Sequence, residues 1–323
     1  MKVEKVVFRF HPKLNLWLPD GRISMFGKQE VGGFQIRFEA LYDFVNSEMK
    51  DMFLLGNRWG ILAFDFGFKE LVSFEKVYED KKYLERQREV SPYFTFYLKS
   101  YLPLSVGLRI NSITTALQEG LSELKRDKTR NLYFLFTFKK KEEEIFNLKI
   151  ENSYKTIIHG YLFTKLEFNF GFKIKMRNDL FLLFSSEFAI PFNLDEGEVV
   201  RGELYSLGGL ERLKGYDYEE FRGSYKSYIS TEFSFPLYRA KSRRYFGFHF
   251  EHLKGFFIVE TGKTEDEFYY IRNYLSSIGV GLEYKLSFFK IFSSRMRFMI
   301  TKATEKGRKP KFYLTLSNFP YKK

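Results

Sequence analysis

Cysteine is absent from the chain, so neither a disulfide nor a thiolate metal site can hold or equip it. Also absent is any run of about 18 or more uncharged apolar residues, which excludes a transmembrane helix. The opening residues, MKVEKVVFRFHP, lack the basic, apolar, small-residue order of a secretory signal. If the protein is exported, its signal or a preceding domain lies outside these 323 residues. Histidine is scarce: the four are His11, His159, His249 and His252. His249 and His252 are close in sequence, but an i, i+3 spacing in a regular strand points them to opposite faces, which argues against a shared metal. No Gly-x-Ser-x-Gly elbow, phosphate loop or His-Glu-x-x-His helix occurs. The expectation is a protein that is not an enzyme, with no cofactor and no metal.

Aromatic residues are abundant instead, at 20% with 40 Phe and 22 Tyr, yet mean hydropathy is −0.32 and 29% of residues are charged. The two facts are compatible if apolar and polar residues alternate along strands, giving one greasy and one wet face. The sequence reads that way. Leu166, Phe168, Phe170, Phe172 and Ile174 alternate with Lys165, Glu167, Asn169, Gly171 and Lys173, and Ile278, Val280, Leu282, Tyr284 and Leu286 with Gly279, Gly281, Glu283 and Lys285. Period two sustained over ten residues is the strand pattern. Such runs number roughly fourteen to sixteen. Their length, their Phe-rich apolar face and tyrosines near the strand ends (Tyr97, Tyr101, Tyr225, Tyr228) fit a membrane-spanning antiparallel β-barrel better than a soluble sandwich. A closed barrel also satisfies every backbone group in lipid.

Residues 1–20, with His11-Pro12 and Trp17-Leu18-Pro19, read as a pre-barrel segment or an edge strand, and 21–323 as the barrel. Two stretches depart from the pattern. Ser112–Lys128 reads either as a short helix, with Leu117, Leu121 and Leu124 on one face, or as a long loop carrying a little β-structure. Lys139–Glu144, KKKEEE, reads as a charged hairpin tip. The net charge of +13 reads as solvated loops and a polar lumen, with no nucleic-acid partner.

The chain is organised around Leu207–Leu237, where Gly208-Gly209 and Leu213-Lys214-Gly215-Tyr216 precede a long alternating strand. This composition suits a structured loop folding back onto a sheet. A cation inside a wide barrel needs a carboxylate from the wall. Glu260 lies on the face of its strand opposite Phe257 and Val259, which makes it a candidate partner for Lys214 or for Arg212. Lys214 as an exposed loop lysine is the other reading of the residues alone.

The run GGLERLKGYDYEEFRGSYKSYISTEFSFPL resembles the surface-antigen barrel of the BamA/TamA superfamily. Gly208-Gly209, Lys214-Gly215-Tyr216, Gly223 and Glu232 to Pro236-Leu237 fall on its Gly-Gly, Arg-Gly-aromatic, Gly and Glu-x-x-x-Pro-Leu positions. HLKGFFIVETG is similar to the family's strand ending in aromatic-x-Asp-x-Gly, with Glu260 and Gly262 on the acidic and glycine positions, and Leu275–Leu286 to its next strand. The resemblance is closest over residues 200–290 and architectural before them. It implies a sixteen-stranded outer-membrane barrel, with fourteen strands the alternative count, whose sixth extracellular loop enters the lumen. There Arg212 and Lys214 to Tyr216 would anchor the loop against Glu260 and Gly262. It further implies a first/last-strand seam that is weakly closed, with Phe312, Leu314 and Leu316 on the closing strand.

Three features depart from the family: Lys214 replaces its usual Arg, which removes the planar two-pronged contact of a guanidinium, Glu260 replaces its usual Asp and is one methylene longer, and Lys322-Lys323 replaces the terminal aromatic. No βααββ delivery module is legible ahead of the barrel. The function the resemblance implies is assembly or translocation of proteins or lipids at the outer membrane of a Gram-negative-type envelope, through a loop-gated pore or lateral seam. Outer-membrane lipid, periplasmic delivery domains or lipoproteins, and unfolded client proteins are the partners it implies. The alternative is a passive pore, or the membrane anchor of a periplasmic domain.

Overall fold

A computed structural model describes residues 13–18, 22–31, 34–43, 48–59, 62–78, 81–99, 102–117, 124–140, 143–153, 164–192, 204–245, 248–266, 274–288 and 292–320. His11, His159 and Tyr101, and the terminal Lys322-Lys323, lie outside them. The described residues are almost entirely strand: β1 (Lys13–Leu18), β2 (Arg22–Val31), β3 (Phe34–Asp43), β4 (Glu48–Trp59), β5 (Leu62–Tyr78), β6 (Lys81–Lys99), β7 (Leu102–Leu117), β8 (Leu124–Lys140) and β9 (Glu143–Ser153) come first. They are followed by β10 (Thr164–Lys175), β11 (Phe181–Phe192), β12 (Tyr205–Leu207), β13 (Phe221–Gly223), β14 (Tyr225–Tyr245), β15 (Phe248–Glu265), β16 (Leu275–Phe288), β17 (Phe292–Ala303) and β18 (Lys311–Pro320). Phe, Tyr, Ile and Val at alternate positions favour this pleated, two-faced state. The chain divides into two compact units.

The first unit takes in Ser24–Glu167 with two short segments, and in it β3 to β9 form a meander in which each strand pairs antiparallel with the next. Phe53, Leu55, Phe66, Phe94, Phe96, Ile110, Phe134 and Ile150 line its exposed face. The opposite face buries Thr95, Ser105, Asn111, Thr137 and Glu151. There the Arg109 guanidinium and the Lys149 ammonium each lie 2.7 Å from a Glu151 oxygen. Lys149 also comes to 3.6 Å from Glu167. Ion pairs thus take the place of an apolar core on this face.

Ser112–Leu117 and Leu124–Lys128 are extended, paired from Ser112↔Lys128 to Ala116↔Leu124, which corrects the helix reading of this stretch. Leu121 lies outside the described residues, while Leu117 and Leu124 belong to two strands that pair antiparallel. At the KKKEEE run the strands pair Lys139↔Glu144 and Lys140↔Glu143.

The second unit takes in Lys13–Ile23, Phe168–Ile190 and Leu204–Lys323. Its sheet runs β10-β11-β14-β15-β16-β17-β18-β1. Phe257, Val259, Ile278, Val280, Leu282, Phe298, Ile300 and Phe312 are exposed on one face. On the other, here the inner face, Phe256, Ile258, Glu260, Ser277, Met299, Thr301 and Tyr313 are buried. A five-residue turn, with Asn178 and Asp179 at φ 62° and 58°, joins β10 to β11. In β15 a register shift between Phe250 and His252 interrupts the pleat, so the regular alternation assumed for His249 and His252 does not run through it.

The ladders of this unit are unequal. Among the described residues, β16 and β17 pair over twelve residues and β17 and β18 over ten, but β18 meets β1 at four: Asn15↔Ser317, Leu16↔Leu316, Trp17↔Thr315 and Leu18↔Leu314. β1 itself lies within residues 1–20, the segment read above as pre-barrel or edge strand. Opening free energy follows the number of interactions broken together. Backbone amides of 13–18 are therefore expected to exchange with solvent deuterium at least about tenfold faster than those of 292–303 in the detergent-solubilised protein. Equal protection of the two segments would contradict this reading of the ladder.

Candidate functional site

Between β12 and β14 the chain leaves the sheet and returns across its inner face. β12 and β13 pair only with each other, Tyr205↔Gly223 to Leu207↔Phe221, and close the base of a loop over 208–220. Gly208 and Gly209 take φ of 116° and 90°, a region that costs an L-residue roughly 1–2 kcal/mol. That turn lets the Gly208 N–H donate to the Arg212 carbonyl at 3.0 Å and the Gly209 N–H to the Tyr216 carbonyl at 3.2 Å. Leu213 also has positive φ, 55°, and its side chain is fully buried with Leu207, Tyr216, Tyr228 and Ala303. Burial of that cluster offsets the backbone strain. At Gly215 a Cβ would come within 2.4 Å of the Ala303 amide nitrogen, so only glycine allows the loop to lie this close to β17.

Lys214 is bound at both ends of its backbone and at its side chain. Its ammonium lies 2.5 Å from Glu260 Oε1, and its backbone N–H donates to Oε2 at 2.7 Å. Its carbonyl accepts from the Thr301 and Tyr313 hydroxyls, each at 2.7 Å. Glu260, fully buried on β15, receives two further hydrogen bonds, from the Tyr228 hydroxyl to Oε1 at 2.6 Å and from the Ser277 hydroxyl to Oε2 at 2.9 Å. Four donors thus surround one carboxylate, drawn from the loop, β14 and β16.

Arg212 has a different partner. Its Nε lies 2.7 and 2.9 Å from the two oxygens of Glu187 on β11, which also accepts from the Lys226 ammonium at 2.7 Å. Burial works against the Arg212 charge, but Glu187 outweighs it and holds the guanidinium above its ordinary pKa. For Tyr216, burial pushes the phenol up. At the exposed end of the loop, Arg308 bonds Glu220 at 2.5 Å, sits 5.3 Å over the Tyr216 ring, and adjoins a Lys311–Asp217 pair.

The structure therefore brings Lys214, Gly215, Tyr216 and Glu260 together and places Arg212 on Glu187. Gly262 stands opposite Tyr228 in the β14–β15 ladder. Leu314 and Leu316 on β18 face β1, and Phe312 belongs to the exposed face. Tyr228, read from sequence with the girdle tyrosines, is 3% exposed and binds Glu260 instead. Its parity with Ser230 and Glu232, opposite Phe233 and Phe235, was the available signal. Ser277, Thr301, Tyr313 and Glu187 are further contributors that the sequence reading did not single out.

Neither a family model nor a curated protein matches the chain. Solved structures do. BamA from Haemophilus ducreyi lacking POTRA domains 1–3 aligns with a TM-score of 0.72 at 11% identity, over 98% of this chain and 71% of that one. CdiB from Escherichia coli aligns at 0.68 and 12%, over 98% and 68%. CdiB from Acinetobacter baumannii aligns at 0.63 and 11%, over 98% and 60%. The chain has the antiparallel β fold of these structures.

Removing one member of a buried ion pair leaves the other uncompensated, at about 3–5 kcal/mol. Glu260→Ala is expected to lower stability by about that amount, and Tyr228→Phe by about 1.5–3 kcal/mol, the worth of a hydrogen bond to a charged group. Denaturant titration of the detergent-solubilised protein measures both, and limited proteolysis at 208–220 should show the loop released in the first. Wild-type stability in Glu260→Ala would remove the carboxylate from its place as anchor.

Proposed function

We propose that the chain is an outer-membrane barrel domain of sixteen strands, residues 1–20 included through β1, that assembles or translocates proteins or lipids at the outer membrane. The exposed Phe-, Ile- and Val-rich faces would meet lipid, and the inner faces would enclose a polar lumen into which the 208–220 loop folds. The observation that carries this reading is the disproportion between adjacent ladders among the described residues: ten residue pairs hold β18 to β17 and four hold it to β1. A seam so short can part at a cost the neighbouring ladders cannot match, while the loop stays fixed on β15, β17 and β18 through Lys214. Unfolded client proteins or lipids at the seam, and periplasmic domains or lipoproteins that deliver them, are the partners of this reading. It includes no catalysis.

The absence of cysteine gives a clean test. Trp17 and Thr315 stand directly opposite each other, within the range a disulfide spans. The double substitution Trp17→Cys, Thr315→Cys should form a disulfide in the cell and cause loss of other outer-membrane proteins or lipids from the membrane, reversed by reductant. Unchanged outer-membrane protein and lipid levels with the disulfide formed would favour a passive pore or membrane anchor instead. In planar bilayers, Lys214→Ala is expected to raise the conductance of the purified protein by freeing the loop; a conductance equal to wild type would mean the loop does not gate the lumen.

A further inference from the structure

Three lysines converge on one phenylalanine at the end of the second unit remote from the 208–220 loop. Phe181 begins β11 directly after the five-residue turn. Lys173 and Lys175 of β10 place their ammonium groups 5.1 and 6.0 Å from its ring centroid, and Lys254 of β15 reaches over β14 to 4.8 Å. Lys254 shares its row with Phe256, Ile258 and Glu260, so the cluster lies on the inner face. Six residues of strand, about 20 Å, separate it from the Glu260 anchor.

Cations this close repel one another, and the nearby carboxylates are shared with other cations. Asp179 lies 2.9 Å from Lys175, and Glu283, opposite Lys254 in the β15–β16 ladder, lies 3.6 Å from both Arg295 and Arg297. Among the described residues, neither Lys173 nor Lys254 has a carboxylate within ion-pair distance. The face of an aromatic ring attracts a cation weakly and still leaves its charge for a further partner. Lys173 and Lys175 are exposed and Lys254 half-buried, so the ammonium groups are open to a ligand.

The geometry points to an anion-binding site centred on Phe181, formed by Lys173, Lys175 and Lys254, that holds carboxylate side chains of an extended acidic polypeptide segment. A phosphate-bearing lipid is the poorer fit, because the apolar rows that would receive its acyl chains lie on the opposite face of the sheet. The inner rows here are polar and charged, and the Phe181 ring supplies one apolar surface for the stems of glutamate side chains. The site requires only the β10–β15 geometry, so it stands or falls apart from the seam and from the loop gate.

The test uses the whole chain in non-ionic detergent with dye-labelled hexaglutamate as probe. Hexaglutamate should bind, hexaglutamine should not, and the affinity should fall as salt rises. The combined substitution Lys173→Gln, Lys175→Gln, Lys254→Gln should weaken binding about tenfold or more. In the wild-type protein, bound hexaglutamate should shield these three lysines from acetylation more than Lys302, Lys306 and Lys309, as read by mass spectrometry. This second readout holds even if the triple variant does not fold. Unchanged affinity in a folded triple variant, or no selective shielding, would overturn the site. Displacement of the peptide by short-chain phosphatidic acid at equal charge would overturn its assignment to polypeptide.

Discussion

The buried contact between Lys214 and Glu260 is the constraint on which the rest of the second unit depends. A carboxylate with no exposed surface carries a desolvation cost of several kcal/mol, and it persists only where donors replace its water. Here the donors come from three parts of the fold at once: the loop, Tyr228 on β14 and Ser277 on β16. The same lysine hands its carbonyl to Thr301 on β17 and Tyr313 on β18. Five consecutive elements of the unit are therefore referenced to one residue of the loop. Release of the loop would expose not one orphaned group but a set of them, which makes docking close to all-or-none.

The inner face could carry no such anchor if it were packed as an ordinary core. Its apolar patch, Phe256, Ile258, Met299 and Tyr313, packs with Leu210 of the loop, and the rows beyond it are polar or charged. The 297 guanidinium, 4.1 Å over the Phe256 ring and 2.7 Å from Glu232, marks where one regime gives way to the other. In the first unit, charge pairs centred on Glu151 fill the buried face. Both solutions leave the large apolar side chains to the opposite face. That is why a sequence with negative mean hydropathy can present so much exposed phenylalanine.

Strand periodicity was legible because extended backbone dihedrals place successive side chains on opposite faces, whatever the tertiary context. The face of Glu260 followed from the same parity. What escaped were the elements whose state is decided by partners far away in sequence. For Ser112–Lys128 the residues left a helix and a loop carrying β-structure equally open, and the described residues 112–117 and 124–128 are taken by a ladder running from Leu104↔Phe136 to Ala116↔Leu124. Arg212 could have reached either wall acid by charge alone. Its choice of Glu187 depends on β11 and β14 being neighbours with Glu187 opposite Tyr228, a pairing across some forty residues of chain. Tyr228 was misplaced by composition, since a tyrosine near a strand end suits a girdle as well as a carboxylate. The β15 irregularity at His252 broke the parity rule itself.

The lysine at 214 stands where the surface-antigen pattern that this loop resembles has arginine, and that difference has a direct physical consequence. A guanidinium reaches both oxygens of a carboxylate with one planar group. Lys214 reaches both with two groups of the same residue, its ammonium on Oε1 and its backbone N–H on Oε2. The second prong is available only because Leu213 takes positive φ and Gly215 lets the chain press against Ala303, which turns the amide toward the wall. The loop backbone thus supplies what the side chain lacks. An arginine here would compete with its own backbone, and with Tyr228 and Ser277, for lone pairs already occupied. The lock is consequently built into the path of the loop as much as into its cation, and it holds only while residues 213–215 keep that path.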